Sequence, residues 1–114
     1  MTHKLCLHGR RIPLVFTVNR VCMLEEYTGI SIRQFLQTDF SALRGLLWCA
    51  LPENDPDKGP PRTSLLAAGK ILEDCLRNGT TPGALSALFA RALRDCGFFV
   101  PTVERRRSSQ ALPR

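Results

Sequence analysis

Asp39-Phe40-Ser41-Ala42-Leu43-Arg44-Gly45-Leu46-Leu47-Trp48-Cys49-Ala50-Leu51-Pro52 opens on a residue type whose side-chain oxygen caps helices and closes on one that cannot continue them. Between these limits Phe40, Leu43, Leu47 and Ala50 recur at spacings of 3, 4 and 3 residues, the period of one helix face. Leu46 and Leu51 widen the stripe. So broad an apolar surface predicts a helix at the centre of a core, with the rest of the chain packed around it.

Upstream of that helix, Ser31-Ile32-Arg33-Gln34 has the Ser-x-x-Gln pattern of a capping box and predicts a short helix through Gln37. Asn19 is the expected cap of a longer helix, with Val21, Leu24 and Thr28 on one face and Gly29 at its end. Before it, Lys4–Leu7 and Ile12–Val18 read as two strands around His8-Gly9-Arg10-Arg11, a β-hairpin whose second strand needs a free edge or an irregularity at Pro13. A lone hairpin is marginally stable and must pack on the helices. Downstream, residues 52–62 hold four of the eight prolines and no large apolar side chain, and predict a loop.

Thr63 or Ser64 then caps a helix carrying Leu65, Leu72 and Leu76 and ending at Asn78-Gly79. Thr81-Pro82 opens the last helix with proline at its first position. Its stripe is Leu85, Leu88, Phe89, Ala92, Leu93 and Cys96, with Gly97 as the stop. The predicted fold is α+β, mainly α: an N-terminal β-hairpin followed by about five helices in one domain, 1–100, and a disordered basic tail, 101–114. The two sides of the proline-rich loop are each too small to bury their own apolar faces, so they share a core.

The 114 residues carry a net charge of +6, and its placement matters more than its size. Residues 1–20 contribute +4, residues 101–114 contribute +3, and the body between them −1. Basic character at both ends of a near-neutral body differs from a DNA-reading domain, which gathers its bases on the docking element. Five cysteines without a Cys-x-x-Cys pair argue against a disulfide framework and predict free thiols in a reducing cytoplasm. The longest apolar run, Leu46–Leu51, is far too short for a membrane span, and the N-terminus is expected to hold no signal peptide.

Catalytic constellations are weak. His3, Cys6 and His8 are close in sequence, but on a strand Cys6 and His8 share a side that His3 does not. A cysteine nucleophile would find only these histidines as a base. Glu25-Glu26 and Glu73-Asp74 are adjacent helical residues, which do not converge on one point. No phosphate-loop spacing occurs. The expectation is no enzyme, no metal and no cofactor. Arg105-Arg106-Arg107 could contact phosphates, which gives the alternative of a small nucleic-acid-associated regulator with salt-sensitive binding. The exit Phe98-Phe99-Val100 either folds back on the core or is a partner contact, and in the second case these three are the candidate partner-binding residues. The surplus of helical leucine suggests a partner helix or self-association.

The stretch from Leu14 to Gly29, with its apolar strand, Asn19, Leu24-Glu25-Glu26 and Thr28-Gly29, resembles the strand-then-helix signature of phage tail assembly chaperones of the gene-transfer-agent type. Residues 39–51 are similar to that family's segment ending in Leu-Leu-Trp-Ala-Gly-Leu, with Cys49-Ala50 in place of the small pair. Glu53-Asn54-Asp55-Pro56 resembles the acidic Asp-Pro turn that follows it. The resemblance covers residues 4–57, and residues 58–100 match only as generic helices. It implies a small protein of the bacterial cytoplasm that binds the tape measure protein during phage or prophage tail morphogenesis, and it carries over no catalytic residue. It leaves room for self-association and for a longer product made by ribosomal frameshifting. Asn19, Glu25, Glu26, Thr28, Gly29 and Trp48 are expected to be structural: a cap, solvated charges, a helix stop and a core indole.

Overall fold

His8 and Gly9 both have positive φ, 52° and 76°, the mirror-image turn whose twist suits a two-residue hairpin. The computed structural model describes residues 3–36 and 39–98, without the Leu36 side chain. It pairs β1 (His3–Leu7) with β2 (Arg10–Leu14) antiparallel, Leu7 opposite Arg10 and His3 opposite Leu14. Bonded and non-bonded pairs alternate from such a turn, so Pro13, opposite Lys4, falls where its missing N–H costs no ladder bond. The turn is shorter than the expected His8–Arg11, and β2 ends at Leu14 rather than Val18. The reason is tertiary: the Val15 N–H leaves the sheet to donate to the Ala50 carbonyl at 3.0 Å.

Val18 is instead the first residue of α1 (Val18–Thr28), whose cap is the Thr17 hydroxyl, accepting from the Arg20 N–H at 3.2 Å. Asn19 was the expected cap. It stands inside the first turn, and its amide donates to Asp57 at 3.0 Å. Gly29 ends the helix in the left-handed region at φ 72°, where a Cβ would be strained. Residues Ile32–Leu36 form a 3₁₀ turn, with the Ser31 hydroxyl accepting from the Arg33 N–H at 3.3 Å. Gln37, the expected end of this segment, lies outside the described residues.

The second helix, α2 (Phe40–Ala50), starts where the Asp39 carboxylate accepts from the Ala42 N–H at 2.8 Å. It is buried on nearly every side, through Ala42, Leu43 and all of 45–50. It touches α1, the 3₁₀ turn, β2 and the two helices that follow, α3 (Leu65–Arg77) and α4 (Pro82–Asp95). Ser64 and Thr81 cap α3 and α4, with Pro82 in the first turn of α4. The hairpin lies against α3 and α4 through β1 and against α2 through β2. One apolar core draws on the hairpin, the 3₁₀ turn and all four α-helices. The observed class is α+β, mainly α, as expected: among the described residues a two-stranded hairpin is followed by five helical segments, four of them α-helices and the short one capped by Ser31 a 3₁₀ turn.

Two members of the expected stripes lie elsewhere. Phe40 is 59% exposed, and Cys96 is exposed just past the end of α4. Each stands at the end of its helix, where the periodicity continues but the neighbouring helix does not.

The end of α2 organises the molecule. Leu51 precedes Pro52 and is extended, with ψ 136°, as the clash with the proline ring requires. No left-handed glycine is present to tie up the last carbonyls, and three other groups do so instead, two from distant residues and one from the loop just beyond the helix. Val15 takes the Ala50 carbonyl. The Arg20 guanidinium donates to the carbonyls of Cys49 at 3.1 Å and Leu51 at 2.6 Å. The Asn54 amide donates to the Trp48 carbonyl at 2.9 Å. Arg20 is only 4% exposed and Asn54 is fully buried. A cation at a helix C-terminus also meets the negative end of the helix dipole.

Candidate partner-binding groove

Asn54 holds the proline-rich loop shut as well. Its Oδ1 accepts from the Thr63 N–H at 2.8 Å and its Nδ2 donates to the Thr63 carbonyl at 3.0 Å. The Trp48 indole N–H donates to the same carbonyl at 2.7 Å. The loop is thus pinched at its neck onto the end of α2, while Asn19 holds Asp57 near its tip. Proline content and this neck fix Pro60 and Pro61 as a wall beside α1 and α3.

Against that wall Tyr27 lies on Trp48, ring centroids 5.1 Å apart and planes at 53°, a tilted geometry that adds about 0.5–1.5 kcal/mol to burial. Trp48 is buried, whereas Tyr27 is 59% exposed. A cavity of about 390 Å³ opens here, lined by Tyr27, Trp48, Pro60, Pro61 and Leu65 among others. One helical turn back along α2, a second of about 240 Å³ lies between Phe40, Ser41 and Arg44 of α2 and Gly69, Leu72, Glu73 and Leu76 of α3. The helices run antiparallel, Trp48 beside Leu65 and Arg44 beside Gly69. The two cavities therefore follow each other along the α2–α3 seam. From Phe40 to Trp48 the seam runs about 12 Å at 1.5 Å per residue.

Arg44 stands midway. A Cβ on Gly69 would come within 3.1 Å of the Arg44 Cδ, so the glycine gives the arginine stem its room. The Arg44 Nε is buried and has no hydrogen-bond partner among the described residues, a state that costs about 1–3 kcal/mol. Glu73, at the same cavity, is held by Arg77 at 2.8 Å.

The expected contact residues fare differently. Phe98 is half-buried, packs against the core and donates its N–H to the Leu93 carbonyl at 2.9 Å, so it takes the fold-back course. Phe99, Val100, Arg105, Arg106 and Arg107 lie outside the described residues. Glu25, expected as a solvated charge, accepts from the Ile32 N–H at 2.8 Å and so holds the 3₁₀ turn. Glu26 is exposed beside the Pro56–Pro61 side of the loop.

The histidines and cysteines separate. His3 bonds the Asp95 carboxylate, His8 is in the hairpin turn, and Cys6 is exposed on β1. Among the described residues no three His, Cys, Asp or Glu side chains gather at one point. Burial pushes the Cys49 thiol up to about 12, and burial with the nearby Asp74 charge raises that of Cys75, which works against a reactive thiolate at either position.

No family model, curated protein or solved structure matches this chain. The groove's meaning rests on its own residues. Sequence periodicity did not single out Tyr27, Arg44 or the Pro60-Pro61 wall, and it assigned Phe40 to the core stripe rather than to an exposed groove. The available signal was the row Phe40, Arg44, Trp48 at spacing 4 on α2, which sets a cation between two aromatic rings on one helix face. Among the described residues no helix is long and apolar enough to cross a membrane.

Proposed function

We propose that this chain is a non-enzymatic tail assembly chaperone of phage or prophage morphogenesis, acting in the cytoplasm of the bacterial host and covering apolar stripes of the tape measure protein until the tail tube forms. One observation carries the reading: the three stretches that resemble that family pack into one unit, and the groove opens on its edge. Arg20 of the first stretch grips Cys49 and Leu51 of the second, Tyr27 lies on Trp48, and Asn54 of the third binds Trp48. A long helical client with apolar stripes needs a groove of aromatic, aliphatic and proline surface, which binds without chemistry and releases when a better partner competes.

The test is co-expression with the tape measure protein of the same genome, scoring client solubility and co-purification against a control lacking the chain. A soluble complex is expected. An insoluble client with no complex, for the chain and for any frameshifted longer form, overturns the reading and turns attention to salt-dependent binding of DNA through Arg105–Arg107.

A further inference from the structure

Arg44 carries a polar atom in the seam that the described residues leave without a partner. The apolar side chains that share its cavity are Phe40, Leu72 and Leu76, its Nε is buried without an acceptor among the described residues, and the acid lining the same cavity, Glu73, is engaged by Arg77. Gly69 leaves room for the arginine stem against α3, where a Cβ would come within 3.1 Å of its Cδ. Arg44 as a whole is only half-buried, and the terminal nitrogens of a guanidinium so placed match a carboxylate, which accepts from them with a charge-assisted hydrogen bond.

We infer that the α2–α3 seam seats an amphipathic client helix that places an Asp or Glu on Arg44, with apolar side chains one turn to either side, in the Tyr27–Trp48–Leu65 cavity and in the Phe40–Leu72–Leu76 cavity. The spacing fits. Arg44 is four residues from Phe40 and from Trp48, so a helix lying along α2 meets the three positions over about two turns. The carboxylate sets register, since sliding the client by one turn leaves Arg44 facing an apolar side chain. The chain's own tail is a poor occupant, because residues 101–114 carry four arginines and one acid. The inference rests on the chaperone reading and names which client segments the groove selects.

The experiment compares wild type with Arg44→Glu, Arg44→Met, which keeps an apolar stem without charge, and Lys70→Glu, the same charge change on the exposed side of α3. All are checked for folding by circular dichroism and measured for affinity to the co-expressed tape measure protein. Arg44→Glu is expected to weaken the complex at least tenfold and Arg44→Met by about fivefold, with Lys70→Glu within twofold of wild type. Single Asp or Glu to Lys changes in the bound client segment are expected to restore the Arg44→Glu complex at one position, a rescue that a merely structural Arg44 could not give. Folded Arg44→Glu with wild-type affinity overturns the inference and leaves the chaperone reading standing. Absence of any wild-type complex overturns both. A wild-type dimer lost in Arg44→Glu, with client binding unchanged, gives the seam to a second copy and overturns the inference too.

Discussion

The part of the molecule around α1, α2 and the proline-rich loop is tied together by directional bonds, whereas α3 and α4 are held chiefly by apolar contact. In the first, Val15, Arg20 and Asn54 converge on the carbonyls that end α2, and Asn19 fastens the loop tip. In the second, Ala68, Leu72, Cys75, Leu85, Phe89, Ala92 and Leu93 fill the core, and the side-chain bond from the α3–α4 part to the hairpin is His3 on Asp95. The helix that ends before Pro52 has only Asn54 close by in sequence and imports its other partners, Val15 and Arg20, from far along the chain. A helix closed by Asn78-Gly79 or by Cys96-Gly97 supplies its own, through the N–H groups of residues 78–80 and 96–98. The groove lies where the two kinds of construction meet, so one wall is rigidly placed and the other is packed against it.

Removing packing from the second region is expected to have the largest effect. Phe89 is fully buried on α4, and Phe89→Ala should cost about 3–5 kcal/mol, read as a lower urea midpoint. Arg20→Met strikes the first region and should cost about 3 kcal/mol, since it leaves the Cys49 and Leu51 carbonyls buried without their charged donor. A loss under about 1 kcal/mol would show that water replaces the guanidinium and would weaken the contrast between the regions. Asn54→Ala should cost about 2 kcal/mol and speed proteolysis within residues 55–61, because the neck of the loop opens while α3 and α4 stay in place.

The smallest effect concerns the polar link from hairpin to α4, His3 on Asp95. Asp95 is held below its ordinary value of 3.8, first by the His3 hydrogen bond. A carboxylate lowered in the folded state contributes its stability in full above the unfolded value and loses it as pH falls through the lowered one. Wild type should therefore lose Tm more steeply than Asp95→Asn once the pH drops below 3.8. Equal slopes would mean that the exposed pair contributes nothing.

Much of this construction could be read from local signals. Asp39, Ser64, Thr81-Pro82 and Gly29 each announce a helix boundary by a bond within four residues, and each stands where the pattern put it. Asn19 misled because Thr17, two residues earlier, offers the same chemistry, and the strand's early exit to Ala50 decided between them. Arg20 bonds residues up to 32 positions away, beyond any local window, and Asn54 reaches Thr63 9 positions on across a loop with no periodic pattern to reveal the bond. Phe40 satisfies the period of the α2 stripe yet projects beyond its neighbours. The groove was hidden for a further reason. It depends on α2 and α3 lying side by side in antiparallel register, a relation set by the whole core rather than by either helix.

The most direct test of the groove is carbene footprinting of the chain with and without the bound tape measure protein. Tyr27 and Phe40, each 59% exposed in the free chain, should lose labelling together in the complex, while Lys4 and Cys6 on the outer side of β1 keep theirs. Undiminished labelling of Tyr27 and Phe40, with protection confined to the hairpin, would place the client on the opposite structure and contradict the α2–α3 seam as the binding site.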